Sequence, residues 1–108
     1  MLAKKPTSSY ATAARFGLAE MLFQEAPADA SKWDQAAAFY KEAAKAPPPG
    51  NLLYGYAHYR LGQVFARTGN SQSSIREFQK VLAFTKQFPD APYAAMLTAA
   101  ARDAMPTR

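Results

Sequence analysis

The sequence predicts an all-α domain that contains five helices. Apolar residues recur every three or four positions along five segments, which is the spacing of one face of a helix. Alanine is abundant and β-branched residues are few, a composition that favours helix over strand. Residues that cap or break helices, chiefly Pro, Gly, Ser and Asn, stand between the segments. No stretch shows the alternating pattern of a strand.

Length and composition predict a single globular domain over residues 1–108. Of these residues, 49% are apolar and 19% are charged, which suits a folded chain with a small core. The absence of cysteine excludes disulfides, thiolate metal sites and thiol catalysis. The net charge of +5 favours acidic partners, although the Lys and Arg residues are scattered as on an ordinary solvated surface.

The first helical hairpin is predicted over residues 8–46. Its first helix is expected to cover residues 8–25, after the N-cap hydroxyls of residues 7–9. One apolar stripe of this helix consists of Tyr10, Ala14, Gly17, Leu18, Met21 and Leu22. A different face carries Phe16, Glu20 and Phe23. A helix with two apolar faces either lies between two neighbours or presents one face to a ligand.

The second helix of this hairpin is expected to begin at a cap residue, Ser31, and to end before residues 47–50. Asp34, three residues after Ser31, resembles the partner in a capping box. The three prolines at 47–49 remove three amide donors and prevent the helix from continuing. The stripe that should face the core consists of Trp33, Ala36, Ala37, Tyr40, Ala43 and Ala44.

The second hairpin is predicted over residues 51–88, with Asn51 and Ser71 as the N-caps of its two helices. Gly69 stands where a left-handed residue ends many helices, so the first of these helices should stop near Thr68. The inner stripe of the first helix consists of Tyr54, Ala57, His58, Leu61, Val64 and Phe65. The stripe of the second consists of Ile75, Phe78, Val81, Leu82, Thr85 and Phe88.

A fifth helix is predicted over residues 91–104 and is expected to cap the second hairpin. Pro92 falls in its first turn, where proline is tolerated. Its apolar stripe consists of Tyr93, Met96, Leu97, Ala100 and Ala101. The outer side, with Ala95, Thr98 and Ala99, is only weakly polar.

The two hairpins are degenerate copies of one repeat, in which Leu18 aligns with Leu61 and Tyr40 with Phe78. The second copy contains Leu61-Gly62, Phe65, Gly69, Ser74, Phe78 and Val81. The first contains Leu18-Ala19, Leu22, Ala36, Tyr40, Ala43 and Pro48. In this pattern the chain resembles the tetratricopeptide repeat family, with about two and a half repeats. The resemblance implies antiparallel hairpins stacked as a short right-handed superhelix.

The same resemblance implies a binding groove lined by the first helix of each hairpin. By the alignment, the residues that would line it are Phe16, Glu20, Phe23, Tyr56, Tyr59, Gln63 and Arg67. Tyrosine and arginine are enriched among residues that dominate binding energy at interfaces. The alternative is that these aromatic rings pack against the next hairpin or against the loop around Pro27.

No constellation of residues indicates catalysis. His58 is the only histidine, and it is expected to face its partner helix as a structural residue. The carboxylates are spread over several helices, and the PPPGN segment lacks the Gly-Lys-Ser/Thr ending of a phosphate-binding loop. We therefore expect no enzymatic activity, no metal and no cofactor.

The function expected from these features is that of a non-enzymatic protein–protein interaction or scaffold module. Its partner would be a protein or peptide, a subunit of a larger assembly, or a second copy of the chain. One alternative is a basic domain that binds nucleic acid or an anionic surface through Arg60, Arg67, Arg76 and Lys80, with nucleic acid the less favoured partner. Another is a purely structural subunit.

The sequence contains no apolar run close to the roughly 18 residues that can span a membrane. The first ten residues hold two lysines without an apolar stretch behind them, so we do not expect an intact signal peptide. A cytoplasmic location is the default expectation. The bacterial periplasm is the alternative if a signal sequence has been removed.

Overall fold

The computed structural model describes residues 9–46, 51–91 and 93–105, in which five α-helices follow one another. Helix α1 covers Ser9–Glu25, α2 covers Ser31–Ala43, α3 covers Tyr54–Arg67, α4 covers Ser71–Gln87 and α5 covers Ala94–Ala104. The described ranges contain no strand. The prediction of an all-α fold with five helices is confirmed.

Each helix packs against its successor, and α3 has the most neighbours. Helix α1 contacts α2 and α3 contacts α4, so two helical hairpins form. Helix α2 also contacts α3, while α5 contacts both α4 and α3. One buried cluster joins α1, α2 and α3 through Ala19, Ala26, Trp33, Ala36, Ala37, Tyr40, Leu61 and Val64. A second joins α4 and α5 through Phe78, Val81, Leu97 and Ala101.

The close approach of α3 to α4 depends on the absence of a side chain at Gly62. A Cβ atom there would lie 2.6 Å from Cε1 of Phe78, closer than carbon atoms can approach. The Phe78 ring is itself buried and has no room to move aside. The Ser74 hydroxyl donates a hydrogen bond of 2.8 Å to the Gly62 carbonyl, which holds the two helices together at the same level.

The turn between α3 and α4 is the one that Gly69 predicts. Gly69 has a φ of +86°, in the left-handed region that costs glycine nothing. The Asn70 N–H donates to the Phe65 carbonyl at 2.8 Å, and the Gly69 N–H donates to the Ala66 carbonyl at 3.4 Å. These two bonds form a Schellman motif and satisfy carbonyl groups at the end of α3.

The predicted helix caps differ from the observed ones. Ser31 is the first helical residue of α2 and makes no cap bond; the Asp29 carboxylate instead accepts bonds from the Ser31 N–H and hydroxyl, at 3.2 and 2.7 Å. Ser71 likewise lies inside α4, after Asn70. Short polar side chains can serve either end of a turn, so their role depends on the loop geometry. The caps predicted at residues 7 and 8, the 47–50 break and Pro92 lie outside the described residues.

Asn51 is not the N-cap of α3, which is Leu53, and its side chain bonds to both ends of the connection between α2 and α3. Its side-chain amide donates to the carbonyls of Ala43 and Ala46, at 2.8 and 2.9 Å. Its Oδ1 accepts from the Leu53 N–H at 3.0 Å, and α3 begins only at Tyr54. The buried Asn51 side chain therefore joins the end of the first hairpin to the start of the second.

Two of the predicted apolar stripes face the core only in part. On α1 the buried residues are Thr12 and Ala19, and Ala26 directly after the helix is buried as well. Helix α2 packs on this side of α1. Four members of the predicted α1 stripe are exposed instead: Ala14, Gly17, Leu18 and Met21. On α5, Leu97 and Ala101 are buried as predicted, but Tyr93 and Met96 are exposed. The neighbouring helix, and not apolarity alone, decides which side is covered.

His58 pairs with a buried carboxylate on α4. Its Nδ1 lies 2.5 Å from Oε1 of Glu77, and because a carboxylate only accepts, the imidazole donates. Lys80 Nζ lies 3.3 Å from the other oxygen of Glu77. Burial alone would raise the pKa of Glu77, but the hydrogen bond from His58 and the nearby positive charges outweigh it and lower that pKa. His58 is thus a structural partner across the α3–α4 contact.

The variant Glu77→Gln should lose less stability than the wild-type protein when the pH is lowered. A pKa below the ordinary 4.5 means that the ionised Glu77 carboxylate stabilises the fold above that pH. This stabilisation disappears as the pH falls through the pKa of the folded state. Melting temperatures measured by circular dichroism between about pH 7 and about pH 3 should fall less steeply for Glu77→Gln than for the wild-type protein. Glu42→Gln, at an exposed carboxylate, is the control; equal declines in both variants would contradict the assignment.

The variant Gly62→Ala should lower the free energy of unfolding by about 1–3 kcal/mol, because the Phe78 ring occupies the space that the added methyl group would need. Gly17 is the matched control, since a Cβ atom there meets nothing within 4 Å. Gly17→Ala should leave stability unchanged or raise it by up to about 1 kcal/mol. Urea unfolding of both variants measures the difference. Equal stabilities would show that α3 and α4 are not in close contact at Gly62.

Candidate functional site

Helix α3 has three sides with different surroundings. The side towards α2 is buried and consists of Ala57, Leu61 and Val64. The side towards α4 is buried as well and consists of Gly55, His58 and Gly62. The third side is partly exposed and carries Tyr56, Tyr59, Arg60 and Gln63. Only this third side of α3 offers a row of large side chains that a ligand can reach.

The third side of α3 meets a partly exposed side of α1. The Phe16 ring lies edge-on to the Tyr56 ring, with centroids 5.5 Å apart. The Tyr56 and Tyr59 rings are 6.4 Å apart, so aromatic contacts continue along α3. We call this surface the α1–α3 face; it consists of Phe16, Glu20, Phe23, Tyr56, Tyr59, Arg60 and Gln63.

Arg60 connects the two helices of the face. Its Nε donates to Glu20 Oε1 at 2.9 Å, and its Nη2 lies 3.5 Å from Glu20 Oε2. Its Nη1 donates to Gln63 Oε1 at 2.8 Å. The guanidinium carbon also lies 4.6 Å from the centroid of the Phe23 ring and 5.5 Å from that of Tyr56, in cation–π range. One side chain thus holds a carboxylate, an amide and two rings in fixed positions.

The Glu20 carboxylate is the shared acceptor of this arrangement. Besides Arg60 it accepts a hydrogen bond from the hydroxyl of Tyr40, a buried residue of α2. Burial raises the pKa of Tyr40 well above its usual range, and the adjacent Glu20 raises it further. The phenol therefore remains a neutral donor at physiological pH. Through Glu20, side chains of three helices converge on one point.

The aromatic rings of the face are packed on one edge and accessible on another. The ring centroids of Phe16 and Tyr40 are 5.6 Å apart, and those of Phe23 and Trp33 are 5.4 Å apart. Both phenylalanine rings therefore pack against α2. Tyr59 lies 5.8 Å from Phe78 of α4. These contacts agree in part with the alternative that the rings serve packing between helices. Yet none of the three rings is fully covered.

Arg67, the seventh residue predicted for the groove, lies apart from the other six. It belongs to the last turn of α3 and is exposed. Its guanidinium carbon is 5.6 Å from the centroid of the Trp33 ring, at the start of α2. It therefore provides a positive charge beyond the Gln63 end of the α1–α3 face.

One residue of the α1–α3 face, Arg60, and one beside it, Tyr93, were missing from the predicted set. Arg60 lies one turn before Gln63, so helical spacing placed it on the same side of α3 as the predicted residues. Its hydrogen-bond partner Glu20, however, is forty positions away in the sequence. Tyr93 was assigned to the core stripe of α5, yet it is 55% exposed and its ring lies 5.8 Å from Tyr56. Its φ of +68° is rare for a residue other than glycine. No sequence signal indicated that conformation.

The described ranges show no sign of a metal site or a membrane span. No group of three or more His, Asp or Glu side chains lies close enough together there to hold a metal ion. No described helix is long and apolar enough to cross a membrane.

A double-mutant cycle on Arg60 and Glu20 should reveal coupling of about 1 kcal/mol, because this ion pair is partly buried and doubly hydrogen-bonded. The variants are Arg60→Gln, Glu20→Gln and their combination, compared by urea unfolding. The exposed ion pair of Lys45 and Glu42 is the control, and its coupling energy should be only about 0.3 kcal/mol. Coupling no larger than in the control would mean that Arg60 does not join α1 to α3.

Comparisons of the chain with protein-family models, with curated proteins and with solved structures found no match.

Proposed function

We propose that the chain is a non-enzymatic interaction module that binds a peptide or a segment of a partner protein on its α1–α3 face. The observation that carries this proposal is the continuous row of partly exposed aromatic rings held in place by Arg60. Large, rigid rings lose little conformational entropy on binding, which is why they are frequent anchors in interfaces.

The arrangement of charges supports a peptide as the ligand. The charge of Arg60 is balanced by Glu20, so the middle of the face is nearly neutral and largely apolar. Gln63 can offer its amide N–H groups to a backbone carbonyl while its oxygen accepts from Arg60. A neutral aromatic centre with a free charge at one end, at Arg67, suits a peptide with an apolar residue followed by an acidic one.

The resemblance to the tetratricopeptide repeat family is consistent with this proposal. That family binds peptides with the first helix of each hairpin, and α1 and α3 are those helices here. The proposal depends on the contacts of this chain, however, and would stand without the resemblance.

Tyr56→Ala should weaken binding at least about tenfold, because Tyr56 lies at the centre of the aromatic row. The ligand would be a soluble peptide selected on the wild-type protein from a displayed random library, with affinities measured by fluorescence anisotropy. Tyr54→Ala is the matched control. Tyr54 is partly exposed on the same helix, but it packs against His58 and Phe84 on the α4 side.

Two results would contradict the proposal. One is a larger loss of affinity in Tyr54→Ala than in Tyr56→Ala, and the other is a failure to select any peptide. Affinity should depend only weakly on salt, since the centre of the face is nearly neutral. A steep decline with salt would instead favour the binding of an anionic surface by scattered basic residues.

A further inference from the structure

Tyr93, the residue directly before α5, has a backbone conformation that is unfavourable for a tyrosine. Its φ of +68° lies in the left-handed region, where the Cβ atom crowds the following carbonyl oxygen. Glycine and asparagine tolerate this region much better. Tyr93 is also the N-cap of α5, and its side chain makes no cap hydrogen bond there. The local backbone therefore gives no reason for a tyrosine at this position.

The core of the protein does not require the Tyr93 ring either. Helix α5 packs on its neighbours through its buried residues Ala94, Leu97 and Ala101, whereas the Tyr93 side chain is 55% exposed. Its ring contacts that of Tyr56, with centroids 5.8 Å apart, and Tyr56 is itself only partly buried. Because this contact removes little apolar surface from water, packing alone does not compensate for the strained backbone.

Tyr93 and Tyr56 together form what we call the aromatic corner. Their ring planes meet at 81°, so one ring stands almost perpendicular to the other. The Tyr56 ring also contacts Phe16 of α1, at an angle of 75°, and the guanidinium group of Arg60. These contacts fix Tyr56, while much of the Tyr93 ring remains accessible. Two perpendicular rings offer an apolar side chain a face and an edge to pack against.

The aromatic corner and Arg67 lie at opposite ends of α3. Arg67 belongs to the last turn of the helix, on the same side as Tyr56 but about three turns later, or about 16 Å along the axis. One residue of a peptide spans at most about 3.5 Å. A peptide that reaches both ends must therefore use different residues, several positions apart, for the two contacts.

We propose that Tyr93 is a specificity-determining residue of the peptide site and that the aromatic corner holds an apolar side chain of the ligand. This inference rests on the proposed function, because it assigns a further residue to the same site. It extends the site from two helices to three. The left-handed backbone sets the direction of the Tyr93 ring, and a bound side chain buries the part of the ring that is exposed in the free protein.

The variant Tyr93→Asn tests the proposal, because its stability and its affinity should change differently. Asparagine tolerates the left-handed backbone, so the melting temperature should be unchanged or higher. The peptide selected on the wild-type protein should bind at least about fivefold more weakly, since the ring is lost. Tyr93→Phe keeps the ring and should bind like the wild-type protein. Met21→Ala is the control for an exposed apolar side chain on another side of α1, and it should keep its affinity.

Alanine substitutions in the selected peptide locate the contact. One apolar peptide residue should lose most of its contribution to affinity in Tyr93→Asn, and the same residue should keep that contribution in Arg67→Gln, because Arg67 lies at the far end of α3. Wild-type affinity in Tyr93→Asn, at any melting temperature, would overturn the proposal. So would coupling of that peptide residue to Arg67 instead of Tyr93.

The proposal and the proposed function can fail separately. A peptide whose binding requires Tyr56 but not Tyr93 would overturn the aromatic corner and leave the α1–α3 face as the binding site. Binding that is insensitive to Tyr56 as well would overturn both.

Discussion

The close contact between α3 and α4 at Gly62 is the constraint on which the rest of the arrangement depends. Because Phe78 occupies the space of the missing side chain, α4 lies directly against one side of α3. Helix α2 covers a second side through Leu61 and Val64. Helix α5 also contacts α3, and Tyr56 and Tyr59 pack partly against the cluster that α4 and α5 form. The third side of α3 therefore carries large side chains that are packed on one edge and exposed on another. The position of the candidate site thus follows from the way the core is packed.

Packing and binding share the same residues at the α1–α3 face. The rings of Phe16 and Phe23 rest on α2, and Arg60 lies over Phe23 while it pairs with Glu20. Such contacts fix the orientation of the rings before a ligand arrives, which reduces the entropy lost on binding. A row of aromatic residues that packs between helices is therefore not an argument against binding. The strained backbone of Tyr93, beside Tyr56, fits the same view, since strain often marks functional surfaces.

Helical periodicity predicted the five helices, the buried stripes of α2 and α3, and the turn at Gly69. It could not decide which side of α1 is covered. That helix has apolar residues on opposite sides, and only the position of α2 selects the side of Ala19. The role of Asn51 could not be predicted from the sequence either, because its hydrogen-bond partners Ala43 and Ala46 belong to the preceding hairpin. Six of the seven predicted site residues lie together on the face. Helical spacing placed Arg60 on the same side of α3, but its pairing with Glu20, forty positions away, leaves no local pattern and was not predicted.

The proposed ligand-binding surface is the third side of α3 together with the adjoining side of α1. The most direct test is a titration of isotopically labelled protein with a selected peptide, followed through the backbone amide resonances. The largest shifts are expected at residues of the α1–α3 face, namely Phe16, Glu20, Phe23, Tyr56, Tyr59, Arg60 and Gln63, while the resonances of residues 75–87 in α4 should change little. The largest shifts in α4, or at Ala14, Gly17, Leu18 and Met21 alone, would contradict binding on this face.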